Sequence, residues 1–206
     1  MNASSTLAIT TCGPVAAAYI TRTEAETAHA TQRQALDGAL QCVMAVLTEA
    51  HARLDSVQSM AVCSGPGSFT GLRIGVALAK SIAQARTLPI VGVSSYDVAE
   101  YDVPAERFPR AELVEGKRNF YYVRVRDAAN AAPRFAAGSR EELADFTNSA
   151  EVRFLADVPA TEQALRVARI GRGSLAARAT AGWSGVDIDY GQRPNAVINW
   201  EARRGS

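Results

Sequence analysis

Histidine and cysteine are scarce in this chain, at two and three of 206 residues. Cys12, Cys42 and Cys63 stand in no C-x-x-C or other ligand spacing, and His29 and His51 form no H-x-x-x-H pair. Neither a zinc site nor a zinc-dependent hydrolase is therefore expected. A sparse, odd cysteine count suits a reducing compartment better than a disulfide-stapled secreted domain. The opening "MNASSTLAIT" has no basic n-region and no long apolar run, so a cytoplasmic chain without signal peptide or membrane span is expected. An excess of one charge sign is missing too. Lys+Arg number 22 and Asp+Glu 21, with six of each up to Asp97 and sixteen against fifteen beyond it. Non-specific nucleic-acid affinity rests on a basic excess, so this chain is not expected to be a main RNA-binding surface.

What is present is ordinary globular composition, 48% hydrophobic and 21% charged, over enough residues for one large domain or two small ones. "TLAIT" (6–10) and "VAAAYIT" (15–21) flank the turn "TCGP" and read as a hairpin. A further extended piece covers 24–30. A long helix follows over 32–54, then a strand at 57–63, a glycine-rich loop, a helix over 70–86, the strand "PIVGV" and a short helix from Ser95. This order predicts an α/β layer with a mixed sheet. After Val98 the proline-bearing "YDVPAERFPRAELVEG" marks a lobe boundary, giving a first lobe of 1–97 and a smaller α/β lobe of 98–206. In the second lobe "RAELVEG" and "NFYYVRVRD" read as strands, with Tyr122, Arg124 and Arg126 on one face. A strand near "VRFLAD" and a helix over 161–178 complete that unit. The tail from Gly182 is expected to loop over the surface, with Trp183 and Trp200 as packing plugs.

The first helix carries two apolar stripes. Leu36, Leu40, Val43, Leu47, Ala50 and Leu54 form one, and Ala35, Ala39, Cys42 and Val46 the other. Together they span roughly 200° of the helix, against the ~100° that covers a core. Either the helix is buried between sheet and second helix, or one stripe faces a partner protein. On the second helix Gly71, Gly75 and Ala79 recur every four residues as a strip without bulk, where another backbone can approach. Arg73, Lys80 and Gln84 share the opposite face, a solvated face or a partner contact. Arg166, Arg169 and Arg172 read as a solvated helix face, with an RNA-facing ridge as the alternative.

The loop between strand and second helix, "CSGPGSFTGLRIG", places glycines at 65, 67, 71 and 75. A glycine-rich turn feeding a helix is a common phosphate cradle. The spacing argues otherwise here. G-x-G-x-x-G fails because position 70 is Thr, and G-x-x-x-x-G-K-[ST] fails because no lysine follows Gly71 or Gly75. Ser68 lies one residue off a G-x-S-x-G elbow. Pro66 and Gly67 instead make a tight turn, Ser68 or Thr70 caps the helix, and Phe69 is displayed at the tip.

The run Ser64-Gly65-Pro66-Gly67-Ser68-Phe69-Thr70-Gly71-Leu72-Arg73-Ile74-Gly75, followed by "LPIVGVSSYDVA", closely resembles the TsaB (YeaZ) family. Its members have the actin-like ATPase (sugar kinase/Hsp70, RNase H-like) α/β fold and were once grouped with M22 glycoproteases. "LAITTCGPVAAAYI" and "VEGKRNFYYVRV" are fainter echoes. The resemblance implies a non-catalytic subunit that supports its catalytic paralogue TsaD, together with a TsaE-like ATPase, in threonylcarbamoyladenosine modification of tRNA. It implies no catalytic residue and no metal ligand of this chain's own, with tRNA contacted mainly by the complex. The implied interface draws on the two first-lobe helices: Ala35, Leu36, Ala39, Leu40 and Val43 on one, and Phe69, Leu72, Arg73, Gly75, Val76 and Lys80 on the other.

The chain departs from the family in two places. The usual Asp-Thr-Ser after the first strand is Thr10-Thr11-Cys12, which removes the obvious magnesium ligand. The His-Ser-Glu-x-Leu-Leu-Pro helix opening is "TQRQALD". No cofactor is therefore expected, and ATP or ADP between the lobes is the open alternative. Two other readings stand beside the scaffold: a self-associating protein using the same stripes as a homodimer contact, and a weak nucleotide hydrolase or glycoprotease-like enzyme.

Overall fold

The computed structural model describes residues 4–177 and 182–191. The first sheet contains β1 (Thr6–Thr10), β2 (Val15–Ile20), β3 (Glu26–Thr31), β4 (Ser59–Gly65) and β5 (Ile90–Ser94), in the order β3-β2-β1-β4-β5. The first three strands form an antiparallel meander, and β4 and β5 join parallel to β1. Every residue of β1 and β2 is buried, because helices cover both faces of the sheet.

Helices α1 (Ala35–Glu49) and α2 (Phe69–Arg86) lie side by side on one face. Their Val43, Val46, Val76 and Ala79 pack with Leu7, Ile9 and Val62 of the strands. The opposite face offers mostly alanine, at 8, 16, 18 and 61, which lets α4 (Ala160–Ala177) settle close against the sheet. At Gly171 a β-carbon would overlap that of Ala61. Helix α4 therefore follows the second sheet in sequence and packs on the first. It does not complete a separate α/β unit.

Helix α1 ends five residues before the expected boundary. His51 takes a left-handed φ of 51°, the His51 N–H reaches the Thr48 carbonyl at 3.0 Å, and the Ala52 N–H reaches that of Leu47 at 2.8 Å. This is a Schellman stop with histidine in glycine's usual place. Leu54 falls in the following 3-10 turn, Leu54–Ser56.

After the short α3 (Ser95–Glu100) comes the second sheet, β8-β7-β6-β9, from β6 (Arg110–Lys117), β7 (Phe120–Arg126), β8 (Arg134–Gly138) and β9 (Glu151–Phe154). Its apolar face buries Ala111, Leu113, Val123 and Val125 under Leu143 and Phe146. The other face, as the alternation predicts, carries Tyr122, Arg124 and Arg126, joined there by Arg110 and Glu112. Arg124 holds Glu112 at 2.9 Å, Asp97 at 2.6 Å and Glu100 at 3.1 Å, so α3 and the second sheet are tied by a buried ionic cluster. Burial pushes the Glu112 carboxyl above its ordinary range although Arg124 opposes the shift.

Candidate functional site

On α1 the apolar arc divides cleanly between core and water. Ala39, Cys42, Val43, Val46 and Leu47 are buried, whereas Leu36 is 73% exposed, Leu40 53% and Met44 57%. Residues four apart drift by about 40° around a helix, so these three form a slanting row along the edge of the buried arc. Met44 extends the row and was not among the expected interface residues. Ala39 and Val43 were, and the structure corrects both. Each is 1% exposed and belongs to the protein's own core. Ala35 is half-buried at the mouth of the helix.

The small-residue strip of α2 also turns inward. A β-carbon at Gly71 would overlap the Thr11 carbonyl, and one at Gly75 the Thr11 hydroxyl. That hydroxyl donates to the Gly71 carbonyl at 2.7 Å. The strip is the seat of the β1–β2 turn. Leu72, Gly75 and Val76, expected at an interface, are buried with no surface to offer. Phe69 and Arg73 remain exposed, and Lys80 is half-buried.

The glycine loop is closed by the chain itself. Ser68 caps α2, its Oγ accepting from the Gly71 N–H at 3.3 Å, while its own N–H donates to the Cys12 carbonyl at 2.7 Å. Gly67 lies against that same carbonyl. The Ser95 hydroxyl donates to the Pro66 carbonyl at 2.5 Å. From the far end of the chain the Asp189 N–H donates to the Ser64 carbonyl at 2.8 Å. Gly65, at φ 113°, leaves room for the Asp189 carbonyl where any side chain would collide. Two of the first N–H groups of the corner are thus engaged within the protein, as a structural corner requires and a phosphate cradle does not.

Phe69 is half in water and half in a stack. Its ring centroid is 5.1 Å from that of Tyr190. The Arg73 guanidinium lies 4.1 Å over Phe69 and donates from Nε to the Tyr190 hydroxyl at 3.3 Å. The tail of 182–191 is therefore more than a surface loop, with Val186 3% exposed in the main core. Trp183, expected as a plug, is 47% exposed, and Trp200 lies outside the described residues.

Beside the α1 row a cavity of about 540 Å³ opens between the β1–β2 turn, residues 31–36 and the first turns of α2. Pro14, Leu36, Thr70 and Ile74 are among the residues that line it.

The arginines of α4 form an ion-paired seam. Arg166 pairs with Asp102 and Glu162, Arg169 with Glu26 and Glu162, and Arg172 with Glu24 at 3.8 Å. Arg169 holds the Glu26 carboxyl below its ordinary range. Among the described residues no group of three or more His, Cys, Asp or Glu is placed to hold a metal ion. No helix there is long and apolar enough to cross a membrane.

Comparison with known proteins places these features in a lineage. The family profile described as TsaD, tRNA N6-adenosine threonylcarbamoyltransferase, matches residues 23–150. The tRNA threonylcarbamoyladenosine biosynthesis protein TsaB of Escherichia coli (strain K12) is 41% identical over 56 residues, 27% of this chain and 24% of that protein. TsaB of Bacillus subtilis (strain 168) is 39% identical over 59 residues, 29% and 26% of the two chains. The tRNA N6-adenosine threonylcarbamoyltransferase of Geobacter sulfurreducens is 37% identical over 93 residues, 42% and 27%. These matches span about a quarter of the relatives' own lengths. In structure, YeaZ from Pseudomonas aeruginosa superposes with a TM-score of 0.68 at 17% identity, covering 91% of this chain and 99% of that one. The likeness bears out the actin-like α/β fold.

Proposed function

The chain belongs to the TsaD family of tRNA N6-adenosine threonylcarbamoyltransferases, and from that premise we propose that it acts in threonylcarbamoyladenosine modification of tRNA as a non-catalytic subunit supporting a TsaD-like enzyme. The observation that carries this reading is the row Leu36-Leu40-Met44, three large apolar side chains in water on α1. Fully covering a side chain of this kind contributes about 1.5–3 kcal/mol, so three in a row can anchor a partner. The TsaD-like paralogue is the partner proposed, with Phe69, Arg73 and Lys80 of α2 at the rim and a TsaE-like ATPase joining the assembly.

The active chemistry belongs to the partner in this account. The glycine corner is occupied by the chain's own backbone. The Thr10-Thr11-Cys12 turn carries no carboxylate, and the Asp189 backbone lies over Gly65. Nucleotide is accordingly proposed to play no part in this subunit, which predicts no saturable ATP or ADP binding in calorimetry. The near-neutral charge and the ion-paired arginines of α4 leave tRNA to the complex. A cytoplasmic setting goes with this role.

The same exposed row supports a second reading, a homodimer through α1. Size-exclusion chromatography with light scattering separates the two. The chain is run alone and mixed with the TsaD-like protein of its own organism. A one-to-one heterodimer is the expected result. A homodimer that ignores the TsaD-like protein would overturn the scaffold role.

A further inference from the structure

Beneath the glycine corner lie two of the three cysteines. Cys12 sits on the β1–β2 turn and Cys63 on β4, 51 residues apart in sequence with their sulfurs 2.8 Å apart. Both are buried, at 1% and 0% exposure. The third, Cys42, is held elsewhere, 3.8 Å from the Val15 carbonyl. Two hydroxyls flank the pair: Thr10 Oγ1 is 3.1 Å from Cys12 Sγ, and Ser95 Oγ is 3.2 Å from Cys63 Sγ. The Ser95 hydroxyl gives its only proton to the Pro66 carbonyl, so the single Cys63 S–H is shared between the Ser95 lone pair and the Cys12 sulfur. The hydrogen bond between the two sulfurs draws the Cys12 thiol down to about 7 and pushes that of Cys63 well up. Cys12 adjoins the exposed Gly13 and Pro14 in the chain, and it is assigned the attacking role on that ground.

We propose that Cys12 and Cys63 form a redox pair that closes to an intramolecular disulfide when the protein meets a hydroperoxide, locking the corner from which α2 starts. In the first step the Cys12 thiolate attacks one peroxide oxygen and the O–O bond breaks. Cys12 becomes a sulfenic acid, and the leaving hydroxide takes up a proton as water. In the second step Cys63, having given up its proton, attacks the Cys12 sulfur. The S–O bond breaks and a second water leaves. Two thiols are oxidised by two electrons, and one peroxide is reduced to two waters. A dithiol reverses the bond by exchange through a mixed disulfide.

Access runs through the turn, since Gly13 and Pro14, next to Cys12, are exposed. A peroxide is small enough to follow a local opening there. The consequence lies in the hydrogen bond from the Ser68 N–H to the Cys12 carbonyl. A covalent link to β4 fixes the residue on which the cap of α2 rests.

The test uses the intact, folded chain. It is treated with hydrogen peroxide, then denatured, alkylated with N-ethylmaleimide and weighed. The expected product is lighter by about 2 Da before labelling, carries one label at Cys42, and yields a cross-linked Cys12–Cys63 peptide. The Cys42→Ser variant gives the same cross-link and no label. The Cys63→Ser variant stops at a Cys12 sulfenic acid that dimedone traps. In the wild type the oxidised form melts higher by on the order of 10 °C, as closing a long loop predicts. Three labels after peroxide, or Cys12 carrying two or three oxygens without a cross-link, would overturn the pairing. A melting temperature unchanged by the cross-link would overturn the locking role.

Discussion

Gly75→Ala separates a packing role for the glycine strip from a partner-binding one. In an exposed helix interior this exchange stabilises by up to about 1 kcal/mol, because glycine loses more backbone freedom on folding. Here the new β-carbon falls on the Thr11 hydroxyl, with Thr11 Cγ2 at 3.1 Å and Cβ at 3.2 Å. Thr11 is 1% exposed, so it has nowhere to swing. Its bond to the Gly71 carbonyl is lost, and an unsatisfied buried hydroxyl costs about 1–3 kcal/mol. Crowding of a well-packed site adds a similar amount. Against the helical gain, the net expectation is a destabilisation of about 2 kcal/mol. Urea unfolding followed by circular dichroism reads it as a lower midpoint at unchanged slope. The control is Thr11→Ala, which costs about 1 kcal/mol by itself for the lost hydrogen bond. Adding Gly75→Ala to it should cost less than half of what it costs in the wild type, because the obstructing oxygen is gone. Equal costs in both backgrounds, or a Gly75→Ala protein more stable than wild type, would refute the seat described for α2.

Further expectations rest on separate parts of the molecule. Arg124→Met leaves Glu112 buried without its closest cation and should cost about 3 kcal/mol near pH 8. Glu112 is already raised by burial, with Glu100 adding to the shift and Arg110 opposing it, and losing Arg124 raises it more. A raised carboxyl contributes stability below its unfolded value and loses it as pH climbs through the folded value. The deficit of the variant should therefore shrink toward about pH 5, and urea midpoints at the two pH values check it. Tyr190→Ala removes the stack on Phe69 and should cost about 1 kcal/mol. Faster proteolysis of the tail from Gly182 onward is the accompanying sign.

The first sheet was legible in sequence because each strand is bounded by a turn signal and its apolar residues alternate or run together as two covered faces demand. The glycine loop was legible as a corner because its spacing fits no phosphate motif and Ser68 stands where a cap belongs. Strand β8 was not anticipated: "RFAAG" at a sheet edge has neither alternation nor β-branched residues, and only pairing with β7 makes it a strand. The early stop of α1 was hidden because histidine gives no left-handed signal. The destination of α4 was equally hidden, since the alanines it rests on, 8, 16, 18 and 61, lie in strands far away in sequence. The surplus of apolar surface on α1 was readable in amount, and its division was not. Sequence periodicity groups Leu36 and Leu40 with Val43, and only the position of the sheet leaves the first two in water. Gly75 was read as open to another backbone because a bulk-free face serves a partner helix and an internal turn alike, and Leu72 came to the interface only through the family resemblance.

The exposed row of α1 is the proposed partner contact, and one titration addresses it. Leu40→Glu is compared with wild type for affinity toward the TsaD-like protein of the same organism by isothermal calorimetry, after urea unfolding has confirmed an unchanged fold. Leu40 is 53% exposed, so the fold should tolerate the charge within about 0.5 kcal/mol. A carboxylate forced into an apolar contact should weaken binding by at least about 30-fold. Binding at wild-type strength by folded Leu40→Glu would contradict the claim that this helix carries the partner.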